Sequence, residues 1–597
     1  MKYKIDKFAF KELENKVMLP SFQRALVWSD NEKKQFIRTL HKGYPFGSIL
    51  IYKYEDIGKY SLIDGLQRYT TILDFRDDPS KYMDVDHFIQ QIVNSIQTDI
   101  KINEAQKREY RGIIKEIIKE IIEKHNKNEE LCNYYLNDRI KEKIPVFPRE
   151  LERYAVNIQT DIINFSRNYL DINEIVIPCI EFIGDQSELA EVFENLNRGG
   201  KKLSKYQVFA AQWSNSEIYL DNGENGSNIL NKVIERYIKL NDSRQIEIKD
   251  FDEYSMRKER KINLSELCYA LGVLIIEELD VFFGKNDIEK EDLANEIGYS
   301  TMGILMNIPN NKLHKVIDKA EFFKDPAIVE EIVEKTLDVY QTINTYFNKY
   351  LLLPGNERKY ESKVKTNFQL MSYFAALWVT RYDVDFDSKA IKTISNYRSS
   401  YNLITKNFIK YYVLDIVNRT WRGSGDSLLN DIYINKNIRY SVPLDKEKLT
   451  NNLLEWHDEV VNKSSIRLED VSKALLTIHN SFSLNYFAAD SYDYEHIIAR
   501  RRLSPIYKSE EIPGGSLGNI MFMDKRLNRS KKDDNLYSQV KEGHILDVEY
   551  LRKVDYPSER ELSIIENDLN SDKGESAKKF IKRRGRDILN SLINNLY

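Results

Sequence analysis

The chain has 597 residues, enough for three or four domains rather than one core. Its 42% hydrophobic and 12% aromatic content marks a folded protein, and a formal net charge of -4 excludes a wholesale basic coat, so any DNA contact has to be a local patch. Three cysteines, Cys132, Cys179 and Cys268, show no CxxC spacing, which excludes a zinc ribbon or a disulfide framework; no signal-peptide core or bilayer-length apolar run occurs, so the expectation is a soluble cytoplasmic protein without a membrane partner.

The first 80 or so residues alternate short apolar strands with brief helices. DNEKKQFIRTLHKG reads as an amphipathic helix with Phe36, Ile37 and Leu40 on one face and Gly43 where a helix stops. YPFGSILIYKY gives a strand after a Pro/Gly turn. YSLIDGLQRYTTILDF reads as a strand ending at Asp64, a tight turn at Gly65, and a helix starting at Leu66 or Gln67. The free N–H groups of such a helix form an anion site, to which Arg68 adds a charge and near which Asp64 can hold a metal or a hydroxyl. On spacing alone, Asp64 as N-cap with Arg68 as its ion-pair partner is favoured. Trp28 is either a base-stacking residue or core.

From Asp84 to about Leu170 the chain turns helical and charged, with Ile pairs at helical spacing in NEAQKREYRGIIKEIIKEIIEKHNKNEE; a long helix or hairpin inserted into the first domain is expected. EIVIPCIEF is a buried strand, and FENLNRGGKKLS holds a glycine turn with Ser204 capping the next helix. NGENGSN at 222–228 is a turn-rich break and the expected end of the first domain. Residues 229–480 read as an irregular helical region, with RYDVDFDS and RGSGDS as linkers and His314, His457 and His479 as surface or packed histidines.

Next comes Asp493 to Lys532, DYEHIIARRR…SLGNIMFMDKRLNRSKK, which orders strand, loop, strand and short helix. One histidine, His496, follows the acids Asp493 and Glu495. Asn519 opens the apolar strand IMFM, and Asn528, Lys531 and Lys532 follow. These residue types suit metal-assisted hydrolysis of a phosphodiester: a neutral His takes a proton from water, and carboxylate and amide oxygens suit a hard divalent ion. A structural histidine and a turn asparagine are the plainer alternative. Arg500, Arg501 and Arg502 either track a nucleic-acid backbone or form a solvated loop. The terminal basic helix, SAKKFIKRRGRDILNSLINNLY, either presses on phosphate or covers the finger with its Ile and Leu face.

The order His496, Asn519 twenty-three residues on and Asn528 nine further resembles an HNH (ββα-metal) nuclease. The phrases EHI and LGNIMFMDKRLN resemble the nuclease half of GmrSD-type, modification-dependent restriction enzymes, although Ile497-Ile498-Ala499-Arg500 stands where relatives usually have a proline. The resemblance implies His496 as general base, Asn519 orienting it or the phosphate, and Asn528 with Glu495 or Asp493 holding Mg²⁺ or Mn²⁺. Near the N-terminus, Pro20-Ser21-Phe22-Gln23-Arg24, Val27-Trp28, Gly43-Tyr44-Pro45-Phe46-Gly47-Ser48, Ile63-Asp64-Gly65-Leu66-Gln67-Arg68-Tyr69-Thr70-Thr71 and FENLNRGGKKLS together resemble the GmrS-like domain. That domain is similar to the ParB/sulfiredoxin fold and is associated with nucleotide binding or hydrolysis and with sensing modified DNA. By position, Gln23, Arg24, Asp64, Gly65, Gln67 and Arg68 are its nucleotide-binding candidates; Leu66 departs from the usual second Gln.

The fold expected is therefore multidomain α+β and predominantly helical. It comprises a ParB/sulfiredoxin-like α/β domain over 1–222 with a helical insertion at about 84–170, a helical region over 229–480, and an HNH finger with a terminal basic helix over 481–597. The function expected is a metal-dependent DNA endonuclease of anti-phage defence, taking modified phage DNA and a nucleoside triphosphate as partners, with Arg500, Lys531 and Lys532 on phosphate and homo-oligomerisation left open. The alternatives are a nucleotide-dependent DNA-binding sensor with an inactive finger, and an adaptor built on the helical region.

Overall fold

The computed structural model describes residues 2–20, 28–54, 57–144, 149–185, 188–189, 192, 205–214, 216–244, 246, 248, 251–355, 358–423, 425–482, 491–525, 536–539, 551–552 and 554–597. The chain divides into two compact units, Met1–Ser214 with Glu235–Glu253 and Asn215–Ile234 with Tyr254–Tyr597.

The first unit is built on a five-stranded mixed sheet of β1 (Tyr3–Ala9), β2 (Val17–Met18), β3 (Ile49–Tyr54), β4 (Lys59–Asp64) and β5 (Val176–Phe182), in the order β1-β5-β3-β4-β2. β3 lies antiparallel to β4 and parallel to β5, so two central strands come from short apolar runs far apart in sequence. Their inward residues Leu50, Ile63 and Phe182 share one core with Leu189. Helix α1 (Asp30–His41) starts on a capping box, Ser29 accepting from the Glu32 N–H and Glu32 accepting from the Ser29 N–H, and buries Phe36, Ile37 and Leu40. Helix α2 (Leu66–Asp77) follows β4 directly.

The Ile-rich stretch is one long helix, as expected, and the insertion around it adds three more: the four are α3 (Asp86–Asp99), the long α4 (Glu104–Asn126), α5 (Tyr135–Lys143) and α6 (Arg149–Arg167). In α4, Ile114, Ile117, Ile118, Ile121 and Ile122 are all fully buried, so its Lys/Glu face alone is wet. The three neighbouring helices meet that apolar stripe, which one partner would not cover. Helix α7 (Lys205–Gln212) follows.

The stretch at 222–228 does not break the chain; it opens helix α8 (Glu224–Arg244). The Glu330 carboxylate accepts from the N–H groups of Asn225 and Gly226 at 3.0 and 2.7 Å, supplying from a distant residue the cap that the local sequence lacks. Two two-residue strands, β6 (Ile218–Tyr219) and β7 (Lys261–Ile262), pair near it.

The second unit is otherwise helical: α9 (Leu264–Glu278), α10 (Glu291–Leu305), α11 (Pro326–Leu351), α12 (Asn367–Arg381), α13 (Tyr397–Asn418), α14 (Gly425–Tyr433), α15 (Lys446–Val461), α16 (Asp470–Ser481), α17 (Glu559–Asn570) and α18 (Glu575–Leu596). Rings of Phe347, Tyr373, Phe408, Tyr412 and Tyr440 interlock in its core. RYDVDFDS is a hairpin rather than a linker, β8 (Tyr382–Asp385) against β9 (Ala390–Thr393). Asp385 makes the turn: its carboxylate accepts from the Asp387 and Ser388 N–H groups and pairs with Lys392. Further on, β10 (Tyr492–His496) runs antiparallel to β11 (Ile520–Asp524).

Cys132, Cys179 and Cys268 are free thiols, and burial pushes that of Cys179 up to about 12. Among the described residues no helix is long and apolar enough to cross a membrane.

Helix α18 packs on α15, α16 and the turn Leu517–Asn519. A Cβ on Gly518 would lie 1.8 Å from the Ile581 carbonyl oxygen, so helix and turn touch backbone to backbone. Gly518→Ala is expected to lower the unfolding midpoint of the second unit by the equivalent of about 1–3 kcal/mol; an unchanged denaturant midpoint would show that the helix yields freely there. His457 and His479 give a pH signature. Burial holds both rings below the ordinary histidine range, His479 at about 4, where Arg584 adds its charge. Neutral when folded, they can charge on unfolding near the ordinary value of about 6.5. Their stabilisation is complete above about 6.5 and is lost as pH falls toward about 4. Burial raises Asp415 and Asp555, which act in the opposite sense only nearer the carboxylate range. The denaturant midpoint should therefore drop between pH 7 and about 5.5; a flat profile there would mean that water reaches both rings.

Candidate functional site

Each unit carries one candidate constellation. In the first, β4 delivers Asp64 and the chain turns at Gly65, whose φ of +98° is open to glycine. A Cβ there would also meet Ile49 Cγ2 at 2.4 Å, so the turn lies directly on β3. Asp64 does not cap α2. It does pair with Arg68, as the spacing predicts, Nη2 to Oδ2 at 2.9 Å, and both side chains are partly exposed (34% and 24%). Arg68 Nη1 lies where a Cβ on Gly47 would come within 2.9 Å, so the GYPFGS loop lies beside the guanidinium. Gln67 is buried and its Oε1 accepts from the Trp28 N–H at 3.0 Å, tying the strand of chain before α1 to the helix start. Trp28 packs edge-on against Phe36, which in turn meets Phe46. The structure thus brings Asp64, Gly65, Gln67 and Arg68 together; Gln23 and Arg24 lie outside the described residues.

In the second unit, β10 and β11 form the hairpin on which His496 sits, paired with Ile520. The hairpin is anchored by Tyr494, whose hydroxyl bonds Thr477 of α16 and interacts with Glu361; burial raises both the phenol and that carboxyl above their ordinary values. His496 is 8% exposed, and its Nε2 lies 2.9 Å from the carbonyl oxygen of Ile466. A carbonyl only accepts, so Nε2 carries the proton and the neutral ring keeps its lone pair on Nδ1. Nδ1 faces Glu495 Oε1 at 3.7 Å. Asp493 stands two residues back along the same strand, exposed.

Asn519 is fully buried and spans two pieces of backbone. Its Oδ1 accepts from the Ile498 N–H at 2.8 Å, and its Nδ2 donates to the Ile498 and Gly514 carbonyls at 3.3 and 2.7 Å. Its own carbonyl accepts from the Ile497 N–H at 2.9 Å. The side chain therefore fixes the two residues after His496 rather than the ring itself. Arg584 holds this turn from α18. Its guanidinium, 4% exposed, donates to the carbonyls of Gly518 and Ile520 at 3.2 and 2.9 Å and of Val554 and Asp555 at 2.8 and 3.0 Å. Burial lowers it to about 10, which leaves it charged at neutral pH.

Arg500 opens a single helical turn, Arg500–Leu503, and is exposed with Arg501 and Arg502. Asn528, Lys531 and Lys532 lie outside the described residues. Among the described residues no three His, Cys, Asp or Glu side chains are grouped to hold a cation. The terminal helix covers the turn with its apolar face, as one of the two readings expected. Arg584 and the face carrying Ile581, Ile588 and Leu589 are buried, whereas Lys579, Lys582, Arg583 and Arg586 are exposed. The residues of the second constellation that the sequence does not single out are Ile466 and Gly514, acting through their carbonyls, and Arg584, which reads there as one of the terminal helix's surface cations and is instead buried. Only Arg584 carried a signal, an arginine spaced three and four residues from Ile581 and Ile588 on the apolar face.

The first unit is a small mixed-sheet domain with a helical insertion and a glycine turn at a helix start. Its residues 6–214 match the family model described as GmrSD restriction endonuclease, N-terminal domain. The match lies within the first unit and likens that unit to the N-terminal domain of GmrSD restriction endonucleases. No curated protein matches the chain.

The two constellations should respond differently to truncation. Asn519→Ala strands several buried backbone groups and is expected to cost about 2 kcal/mol or more. Arg68→Ala breaks a partly exposed i,i+4 pair and is expected to cost about 0.5 kcal/mol or less. Equal losses in urea titrations of the two variants would contradict this assignment of roles.

Proposed function

We propose that the protein is a divalent-metal-dependent DNA endonuclease of anti-phage defence, acting through an HNH-type site on the β10–β11 hairpin. In the same reading the first unit binds or hydrolyses a nucleoside triphosphate and senses modified DNA. The observation that carries the proposal is the orientation of His496: Nε2 bonded to the Ile466 carbonyl, Nδ1 turned to Glu495.

That orientation suits a general base. Nδ1 accepts the proton of an attacking water, and the imidazolium so formed is stabilised by the Glu495 carboxylate and the Ile466 carbonyl. The water oxygen bonds to phosphorus as the bond to the leaving oxygen breaks. Asn519 is a positioning residue, holding Ile498 and Gly514 so that the ring keeps its place. The donor chemistry fits a hard cation: Glu495 and the exposed Asp493 offer carboxylate oxygens and Asn528 an amide oxygen, a set on which Mg²⁺ or Mn²⁺ keeps several waters. When bound, such an ion supplies charge stabilisation to the phosphate and the leaving group. Arg500, Lys531 and Lys532 would contact flanking phosphates.

In the first unit the α2 N-terminus and Arg68 favour an anion, with Asp64, Gly65 and Gln67 beside it; the resemblance adds Gln23 and Arg24 as candidates for the same nucleotide. The Asp64–Arg68 pair is weak enough for a phosphate to displace the carboxylate.

The test is cleavage of modified and unmodified phage DNA with Mg²⁺ or Mn²⁺, with and without nucleoside triphosphate. His496→Ala should lower the rate at least about 10²-fold while DNA binding persists. Cleavage indifferent to His496→Ala and Glu495→Ala would end the catalytic assignment and leave a DNA-binding sensor.

A further inference from the structure

Behind the hairpin the second unit holds a cleft of about 830 Å³, walled by the start of α12, the end of α13, the end of α15, and the backbone around Ser465–Asp470 and Pro513–Ser516. Its volume falls within the range of small-molecule sites, about 300–1,000 Å³. Six cationic side chains line it: Lys363, Lys365, Arg419, Arg422, Lys463 and Arg467. Its carboxylates are largely spent. Asp415 is buried against Arg439 and Trp421, Glu469 caps α16 through the Ser472 N–H, and Asp470 pairs with Lys473, which leaves Glu459. Arg419, Arg422, Lys463 and Arg467 form no ion pair among the described residues. The cleft is therefore net positive, six cations against the carboxylates of Glu459 and the helix-capping Glu469, and α12 adds its N-terminus at Thr366.

Two of these cations occupy defined places in the fold. Arg419 occupies the left-handed C-cap of α13 (φ +52°), a position where glycine or asparagine would be less strained, so its side chain is kept there against a backbone cost. Lys365 lies with its ammonium 4.4 Å from the Phe283 ring, and burial lowers it to about 8.

We propose that this cleft binds a small polyphosphate anion and that its occupancy bears on His496 through their shared wall. The Gly515 N–H donates to the Ser465 carbonyl at 2.7 Å, and the Gly515 carbonyl accepts from the Glu469 N–H at 2.9 Å. These two zipped segments supply both distant partners of the hairpin residues. The Ile466 carbonyl fixes the His496 ring, and the Gly514 carbonyl receives Asn519 Nδ2. Arg467, one residue beyond Ile466, lines the cleft. An anion drawing on Arg467 and Lys463 thus acts on the segment that sets the imidazole. The binding half stands by itself; the coupling half rests on the nuclease reading.

Calorimetric titration of the full chain with inorganic tripolyphosphate, and separately with ATP, tests the binding and distinguishes a free polyphosphate from a nucleotide source. The double variant Arg422→Glu/Lys463→Glu, on exposed side chains, should weaken tripolyphosphate binding about tenfold or more with an unchanged melting curve. Arg68→Ala, in the first unit, should leave it intact. No binding by the wild type, binding indifferent to the double reversal, or loss caused by Arg68→Ala alone would overturn the site. For the coupling, DNA cleavage is measured at constant free Mg²⁺ with and without tripolyphosphate. A severalfold rate change in the wild type and none in the double variant is expected, and an unchanged wild-type rate overturns it. A wild type that cleaves nothing sinks the nuclease reading and the coupling with it, while the titration still decides the cleft.

Discussion

The buried guanidinium of Arg584 is the constraint on which the second unit's hairpin depends. Taking such an ion out of water costs several kcal/mol, and only a full set of acceptors offsets that cost. Backbone carbonyls on both sides, at Gly518 and Ile520 and at Val554 and Asp555, provide the set. Because carbonyls are fixed to the main chain, satisfying the guanidinium fixes the path of two segments at once. The Leu517–Asn519 turn is then set, Asn519 follows from the turn, and the residues after His496 follow from Asn519. The apolar face of α18, with Ile581, Ile588 and Leu589 buried, supplies the packing that keeps Arg584 in place.

Much of this arrangement was legible where local chemistry decides it. Short apolar or strand-like runs marked β3, β4, β5, β10 and β11, and Gly43 and Gly65 marked a helix stop and a helix start where positive φ is found. What escaped was decided at long range. The start of α8 is made by Glu330, more than 100 residues away, so a Gly/Asn-rich stretch that reads locally as a break becomes helix. The Asp385 turn reverses a chain whose residues also suit a linker. At the site, the types and order of His496 and Asn519 stood out, but their acceptors did not. Ile466 and Gly514 act through their carbonyls, and every residue has one.

The two constellations use polarity in opposite ways. Asp64 and Arg68 share a partly exposed ion pair, which water screens and a competing anion can exchange for little free energy. Asn519, by contrast, is fully buried with each polar atom bonded, so no exchange is available to it. An exchangeable pair suits a turn that takes up a ligand, and a fully bonded amide suits a fixed scaffold, which is the division of roles the proposed function assigns.

Orienting an imidazole through a backbone carbonyl, as His496 is oriented, has a further consequence. An aspartate partner would follow the imidazole by rotating its side chain, whereas the Ile466 carbonyl moves only when the Ser465–Arg467 segment moves. The tautomer of His496 is therefore tied to main-chain position, and the main chain there is itself hydrogen-bonded to Gly515. Displacing a bond of 2.9 Å by several tenths of an ångström takes it past good geometry, so a small shift of that wall is enough to release the ring. The bonds that hold Nδ1 toward Glu495 are thus also the ones through which the proposed coupling to the neighbouring cationic cleft would run.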